Sequence, residues 1–91
     1  MIDIAGAVPA ILSRLKKLPA GRGLELLTFK RDRGLRVVKT GEDAFTATEF
    51  GFRAETVRAD LKGMKRVLKT VLKREFPRSN KVRVRPLGEE Q

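Results

Sequence analysis

Apolar residues recur at helical spacing in two stretches of the chain and alternate with polar ones in several shorter stretches. In the first helical stretch, Ile4, Val8, Ile11, Leu12, Leu15 and Leu18 fall on one stripe, the pattern of a helix with a single buried face. Pro9 suits a first turn, where its missing N–H has no helical partner anyway, so this helix starts between Gly6 and Val8. Met1 to Ile4 forms a short strand or an extra turn, and Pro19, Gly21 and Gly23 close the helix in a loop. The second helical stretch runs from Glu55 to Phe76, with Val57, Leu61, Met64, Leu68, Val71 and Leu72 on its stripe. Thr56 is its candidate N-cap, without a glutamate three residues later to complete a capping box, and Pro77 stops it.

Between the helices the period changes. Leu24 to Arg31 predicts a strand by its apolar and aromatic content, with adjacent Leu26 and Leu27 breaking strict alternation. Asp32-Arg33-Gly34 fits a hairpin loop with Gly34 in the left-handed region. Leu35 to Thr40 is the return strand, Gly41-Glu42-Asp43 the next turn, and Ala44 to Phe52 a third strand with a possible bulge at Gly51. Thr46, Thr48, Phe50 and Phe52 share one face of that strand, and Phe45, Ala47 and Glu49 the other; Phe50 and Phe52 are assigned to the core. After the Ser79-Asn80 turn, Lys81 to Arg85 alternates with Val82 and Val84 inward. Its outward cations suit an edge strand that repels other edges. Pro86 ends it, and residues 88–91 form a flexible tail.

The expected fold is therefore a small two-layer α+β domain over residues 1–87: an antiparallel three-stranded meander, two helices on one face, and a short C-terminal strand. The element order is α-β-β-β-α-β. The other sheet face is left to solvent or a partner.

Composition narrows the chemistry. The chain has 91 residues, no cysteine and no histidine. Disulfides, thiolate metal sites, cysteine nucleophiles and the usual neutral-pH proton shuttle are excluded. Asp32, Glu42, Asp43 and Asp60 lie at turns or beside cations, and Glu75 projects onto the apolar stripe at a helix end within reach of water. None pairs at a spacing suited to acid–base work. Neither a metal, a cofactor nor an enzymatic activity is expected. No segment is long and apolar enough to span a membrane, and the start lacks the order of a secretory signal; the expectation is a soluble cytoplasmic protein.

The net charge is +10, a field that gathers anions. It is uneven: from Arg53 to Arg85 twelve basic residues face three acids. On a helix, Arg58, Lys62, Lys65, Arg66, Lys69 and Lys73 fall in one arc of roughly 100°, and no acid interrupts Leu61 to Arg74. Like charges four residues apart repel by a few tenths of a kcal/mol per pair, so the rail is a cost unless an anion neutralises it. Gly63 lies on a third arc of small residues with Thr56, Ala59 and Thr70, which suits close packing. Arg31 and Arg33 at the hairpin, and Arg83 and Arg85 on the last strand, supply further cations. The expected function is a nucleic-acid-binding module, RNA ahead of DNA, gripping the phosphate backbone with low sequence specificity. Five Phe with no Trp or Tyr argue against stacking as the main mode. The alternative is a protein-interaction module, or a homo-oligomer, that uses the open sheet face or the Lys81–Arg85 edge.

Glu49-Phe50-Gly51-Phe52-Arg53 resembles the middle of the RNP1 box of RNA-recognition motifs, without the basic-Gly pair before it or the Val-x-aromatic after it. The helix–three strands–helix order is similar to that of double-stranded-RNA-binding domains and of the small Alu-RNA-binding proteins of the signal recognition particle. The lysine cluster and longer hairpin loop of the former are absent, so no family residues are carried over.

Overall fold

The alternating stretches pair into one antiparallel sheet, and the two helical stripes cover one of its faces. The computed structural model describes residues 2–28, 32–51, 54–76 and 81–88. In chain order these form β1 (Ile2–Asp3), a 3₁₀ turn (Ile4–Gly6), α1 (Ala7–Lys17), β2 (Gly23–Leu27), β3 (Gly34–Gly41), β4 (Ala44–Phe50), β5 (Glu55–Ala59), α2 (Leu61–Glu75) and β6 (Lys81–Leu87). The sheet has six strands in the order β1-β6-β2-β3-β4-β5. The α+β class and the single helical layer are as expected. The three-stranded meander is the middle of a wider sheet.

Register assigns the two faces. Leu24 pairs with Val37, Val37 with Ala47, and Ala47 with Val57. Cross-strand partners share a face, and this row faces the helices. Leu24, Leu26, Leu35, Val37, Phe45, Ala47 and Val82 join Ala7, Ile11 and Leu15 of α1 and Met64, Leu68, Val71 and Leu72 of α2 in one buried cluster. The alternate residues, Glu25, Arg36, Thr48, Thr56 and Arg85 in one row, form the uncovered face. Phe50 pairs with Gly34 on this face and is half-buried there, so it is not a core residue. Phe52 lies outside the described residues.

The expected helix from Glu55 to Phe76 is two elements. Glu55–Ala59 extends the meander as β5, paired with β4 from Phe45↔Ala59 to Glu49↔Glu55. Val57 sits one helical turn before Leu61, so it fits either period. β-branched Thr56 and Val57 and the free edge of β4 decide for the strand. Asp60 then caps α2: its carboxylate accepts the Gly63 N–H at 2.7 Å, and Asp43 accepts the Leu61 N–H at 2.9 Å, satisfying two of the orphan donors of the first turn. Gly63 is thus a capping position, where an added Cβ would meet Ala59 Cβ at 3.0 Å and Asp60 Oδ1 at 3.1 Å. The helix–three strands–helix order gains a fourth consecutive strand.

Strand β6 also departs from expectation. It runs through Pro86 to Leu87 and lies inside the sheet, between β1 and β2. Because β1 pairs only with Lys81 and Val82, Pro86 sits where β6 has no second neighbour and its missing N–H is tolerated. The full-length edge is β5.

Gly34 opens β3 and has no left-handed backbone; among the described residues the positive-φ glycines are Gly21, Gly51 and Gly88. Glycine is needed at Gly34 for closeness. A Cβ there would lie 2.1 Å from the Leu26 carbonyl oxygen and 2.9 Å from Phe50 Cζ, and the backbone oxygen cannot yield. Gly34→Ala is expected to lower the unfolding free energy by about 1–3 kcal/mol. At Gly41 an added Cβ meets only Ala44 Cβ, at 3.5 Å, so Gly41→Ala should stay within about 0.5 kcal/mol of the parent. Urea titrations of the two variants check the contrast; equal losses would refute the close-approach account.

Candidate functional site

Helix α2 divides its surface into a buried and a cationic face. Met64, Leu68, Val71, Leu72 and Glu75 are buried, while Lys62, Lys65, Arg66, Lys69 and Lys73 are all exposed. These five still span an arc of about 100°, centred roughly 130° round the helix from the buried stripe. None has an ion-pair or hydrogen-bond partner among the described residues. Arg58, expected on the same rail, belongs to β5 and projects from the uncovered sheet face opposite Thr46.

The acids that could have balanced the rail are used elsewhere. Glu49 of β4 is 3% exposed and accepts from Arg74 Nε at 2.9 Å and Nη2 at 2.5 Å. That hydrogen-bonded pairing raises the Arg74 pKa above the ordinary arginine value, against an opposing effect of burial. Glu75 does not reach water. It is 1% exposed, faces the core, and lies 4.0 Å from Arg33 Nε. Glu25 is buried beneath Arg36 and Arg85, at 2.6 and 2.8 Å from their Nε atoms. Buried carboxylates need such partners, so these acids hold elements together and leave the helix exterior cationic.

Helix α1 adds cations that sequence reasoning passed over. Arg14, Lys16 and Lys17 are exposed on a helix that packs against α2. The same periodicity that placed Ile11 and Leu15 inward points these residues out. Between Ile4 and Lys17, and between Leu61 and Phe76, the only carboxylate is buried Glu75. The helix layer therefore presents eight exposed cations and no exposed acid on its helices. Part of this has a local explanation, because Arg14, Lys16 and Lys17 occupy the last turn of α1, where cations favour the helix dipole. Lys62 sits instead in the first turn of α2, which contains no acid, at the end where the dipole opposes a cation.

The other expected site residues do not join this surface. Arg83 and Arg85 alternate with helix-facing Val82 and Val84, which puts them on the uncovered sheet face. Arg33 turns toward Glu75, and Arg31 lies outside the described residues. Among the described residues, no group of His, Cys, Asp and Glu could hold a metal ion, and no helix is long and apolar enough to cross a membrane. No family model matches the chain, and no curated protein or solved structure matches it either.

The rail is electrostatically unfavourable to the free protein. Lys62/Arg66, Lys65/Lys69 and Lys69/Lys73 are like pairs four residues apart. Lys69→Glu turns two of these repulsions into attractions and should raise stability by about 0.5–1 kcal/mol at low salt, a gain that fades as screening increases. Thermal unfolding at two ionic strengths reads this directly. A loss of stability at low salt would show that Lys69 has a structural partner.

Proposed function

We propose that the helix layer binds nucleic acid by its phosphate backbone, with RNA ahead of DNA, and with little sequence preference. The observation that carries this reading is the unpaired, acid-free row Lys62–Lys73, flanked by the cations of α1. Lys73 lies in the last turn, where the dipole favours a cation, but from Lys62 to Lys69 neither the dipole nor an ion pair among the described residues explains the row. A phosphate backbone relieves the repulsion within the row and releases its own counterions. Lys62, Lys65, Arg66, Lys69 and Lys73 contact successive phosphates, and Arg14, Lys16 and Lys17 broaden the footprint. No aromatic residue lies on the exposed face of either helix, so this surface reads charge and shape rather than bases.

With five or six phosphates engaged, log K falls against log salt with a slope near −5, or about a thousandfold between 50 and 200 mM salt. Changing Lys62, Lys65, Arg66, Lys69 and Lys73 together to Gln is expected to abolish that dependence. A gel-shift titration with short double-stranded RNA and DNA at two salt concentrations measures both, and a slope near zero for the parent would overturn the reading.

A protein-docking reading has one observation in its favour. Strand β5 is a five-residue edge without proline, of the kind that accepts an added strand. Sedimentation at high protein concentration tests its simplest form, self-association; a strict monomer counts against it.

A further inference from the structure

The uncovered sheet face carries a second group of cations, arranged unlike the rail. Register puts Arg58, Arg36, Arg83, Arg85 and Lys81 on this face together with Phe50. Its two described acids are already matched: Asp3 by Lys81, and Glu25 by Arg36 and Arg85. The face keeps a net positive charge.

The Glu25 cluster is built in a particular way. Each carboxylate oxygen takes one Nε, Oε2 from Arg36 and Oε1 from Arg85. The terminal nitrogens of both guanidiniums have no partner among the described residues, and the two side chains are 55% and 68% exposed. A carboxylate that is itself 5% exposed thus fixes two arginines side by side with their donor ends free. Arg36 also lies over the Phe50 ring, 4.9 Å from its centroid, while the ring rests on the backbone at Gly34. The result is a layered platform of glycine backbone, phenyl ring and guanidinium at one end of strands β3 and β4 of an open sheet. Along β6, Lys81, Arg83 and Arg85 follow at about 7 Å intervals, a spacing suited to the phosphates of an extended strand.

We propose that this face is a second nucleic-acid site, specific for single strands. Unpaired bases stack on the Arg36–Phe50 platform, as bases do on aromatic and guanidinium planes. Arg85 and Arg36 donate their terminal N–H groups to phosphates or base edges, and Arg58, Arg83 and Lys81 extend the backbone track to either side. Duplex bases, stacked on one another, cannot reach the platform, so the face discriminates strandedness where the rail does not. The proposal stands on the sheet geometry and survives if the helix-layer reading fails.

The test uses the full chain with Lys62, Lys65, Arg66, Lys69 and Lys73 changed to Gln, which removes the rail. Fluorescence anisotropy with a labelled ten-nucleotide oligouridine reads the remaining site. The rail-neutralised chain is expected to bind this probe. Adding Arg36→Gln or Phe50→Leu should weaken it by about tenfold, with a folded circular-dichroism spectrum retained. Arg36→Gln leaves Glu25 paired with Arg85, and Phe50→Leu keeps Gly34 covered, so neither variant need unfold the chain. On the unmodified chain, photocrosslinking to thiouridine-substituted probe should label peptides from β3 and β4. The proposal is overturned if the rail-neutralised chain does not bind the probe, if the sheet substitutions change its affinity by less than twofold, or if crosslinks fall only on the helices. It is equally overturned if Arg36→Gln alters the sedimenting mass, which would show the face closed by a second copy. Loss of duplex binding by the parent would instead count only against the helix layer.

Discussion

The pair between Glu49 and Arg74 is the constraint from which the surface of this protein follows. It ties the C-terminal end of β4 to the last turn of α2 through two hydrogen bonds, with the carboxylate almost wholly buried. A bidentate guanidinium–carboxylate contact fixes orientation as well as distance. Once Arg74 is turned onto the sheet, the rotation of α2 about its own axis is set. Met64, Leu68 and Val71 then fall inward, and Lys62, Lys65, Arg66, Lys69 and Lys73 fall outward. Deleting either partner strands a charge at the helix–sheet boundary, which is why such pairs constrain geometry more than they stabilise.

The same economy governs the other acids. With eleven Asp and Glu against twenty-one Lys and Arg, each carboxylate decides which cations are neutralised. Glu25, Glu49 and Glu75 are placed inside, each facing an arginine from a different element. Asp43 and Asp60 are committed to backbone N–H groups at the start of α2. Within the helices themselves, from Ala7 to Lys17 and from Leu61 to Glu75, no exposed carboxylate remains. An evenly solvated surface would mix signs along α2; here the acids are withdrawn from it, and the remaining cations repel one another along the helix.

Much of this was legible from the residues, and the failures have physical causes. The two helical stripes and the turn between β3 and β4 followed from periodicity. The start of α2 did not. Val57 and Leu61 are four apart, so a strand ending at Ala59 and a helix starting at Leu61 read as one continuous stripe. Only the carboxylate of Asp60, which caps at Gly63, separates them, and capping depends on a backbone geometry that pattern alone does not contain. Phe50 was misplaced for a related reason. An aromatic residue in a strand defaults to the core, but register puts it on the uncovered face, where the absence of a side chain at Gly34 makes room for the ring. Alternation set Arg83 and Arg85 opposite inward Val82 and Val84, but charge count gave no sign that they lie on the far layer from the rail.

That separation into layers limits what any single ligand can engage. The molecule is 24 Å across its shortest dimension, and the helix-layer cations and the sheet-face arginines lie on opposite sides of the core. A rigid polyanion that runs along α2 cannot also touch Arg36 or Arg85. The electrostatic strength of any one contact is therefore set by the cations of one layer, not by the net charge of the chain. The two layers also differ in kind. On the helices the charges are mobile lysine termini on long stems, which suit diffuse contact with a backbone. On the sheet, Arg36 and Arg85 are both held by Glu25, and Arg36 also lies over the Phe50 ring, so their rotamer freedom is already reduced and their planar forks impose direction. The less charged face thus holds its donors in fixed directions, while the more charged face carries freely moving ones.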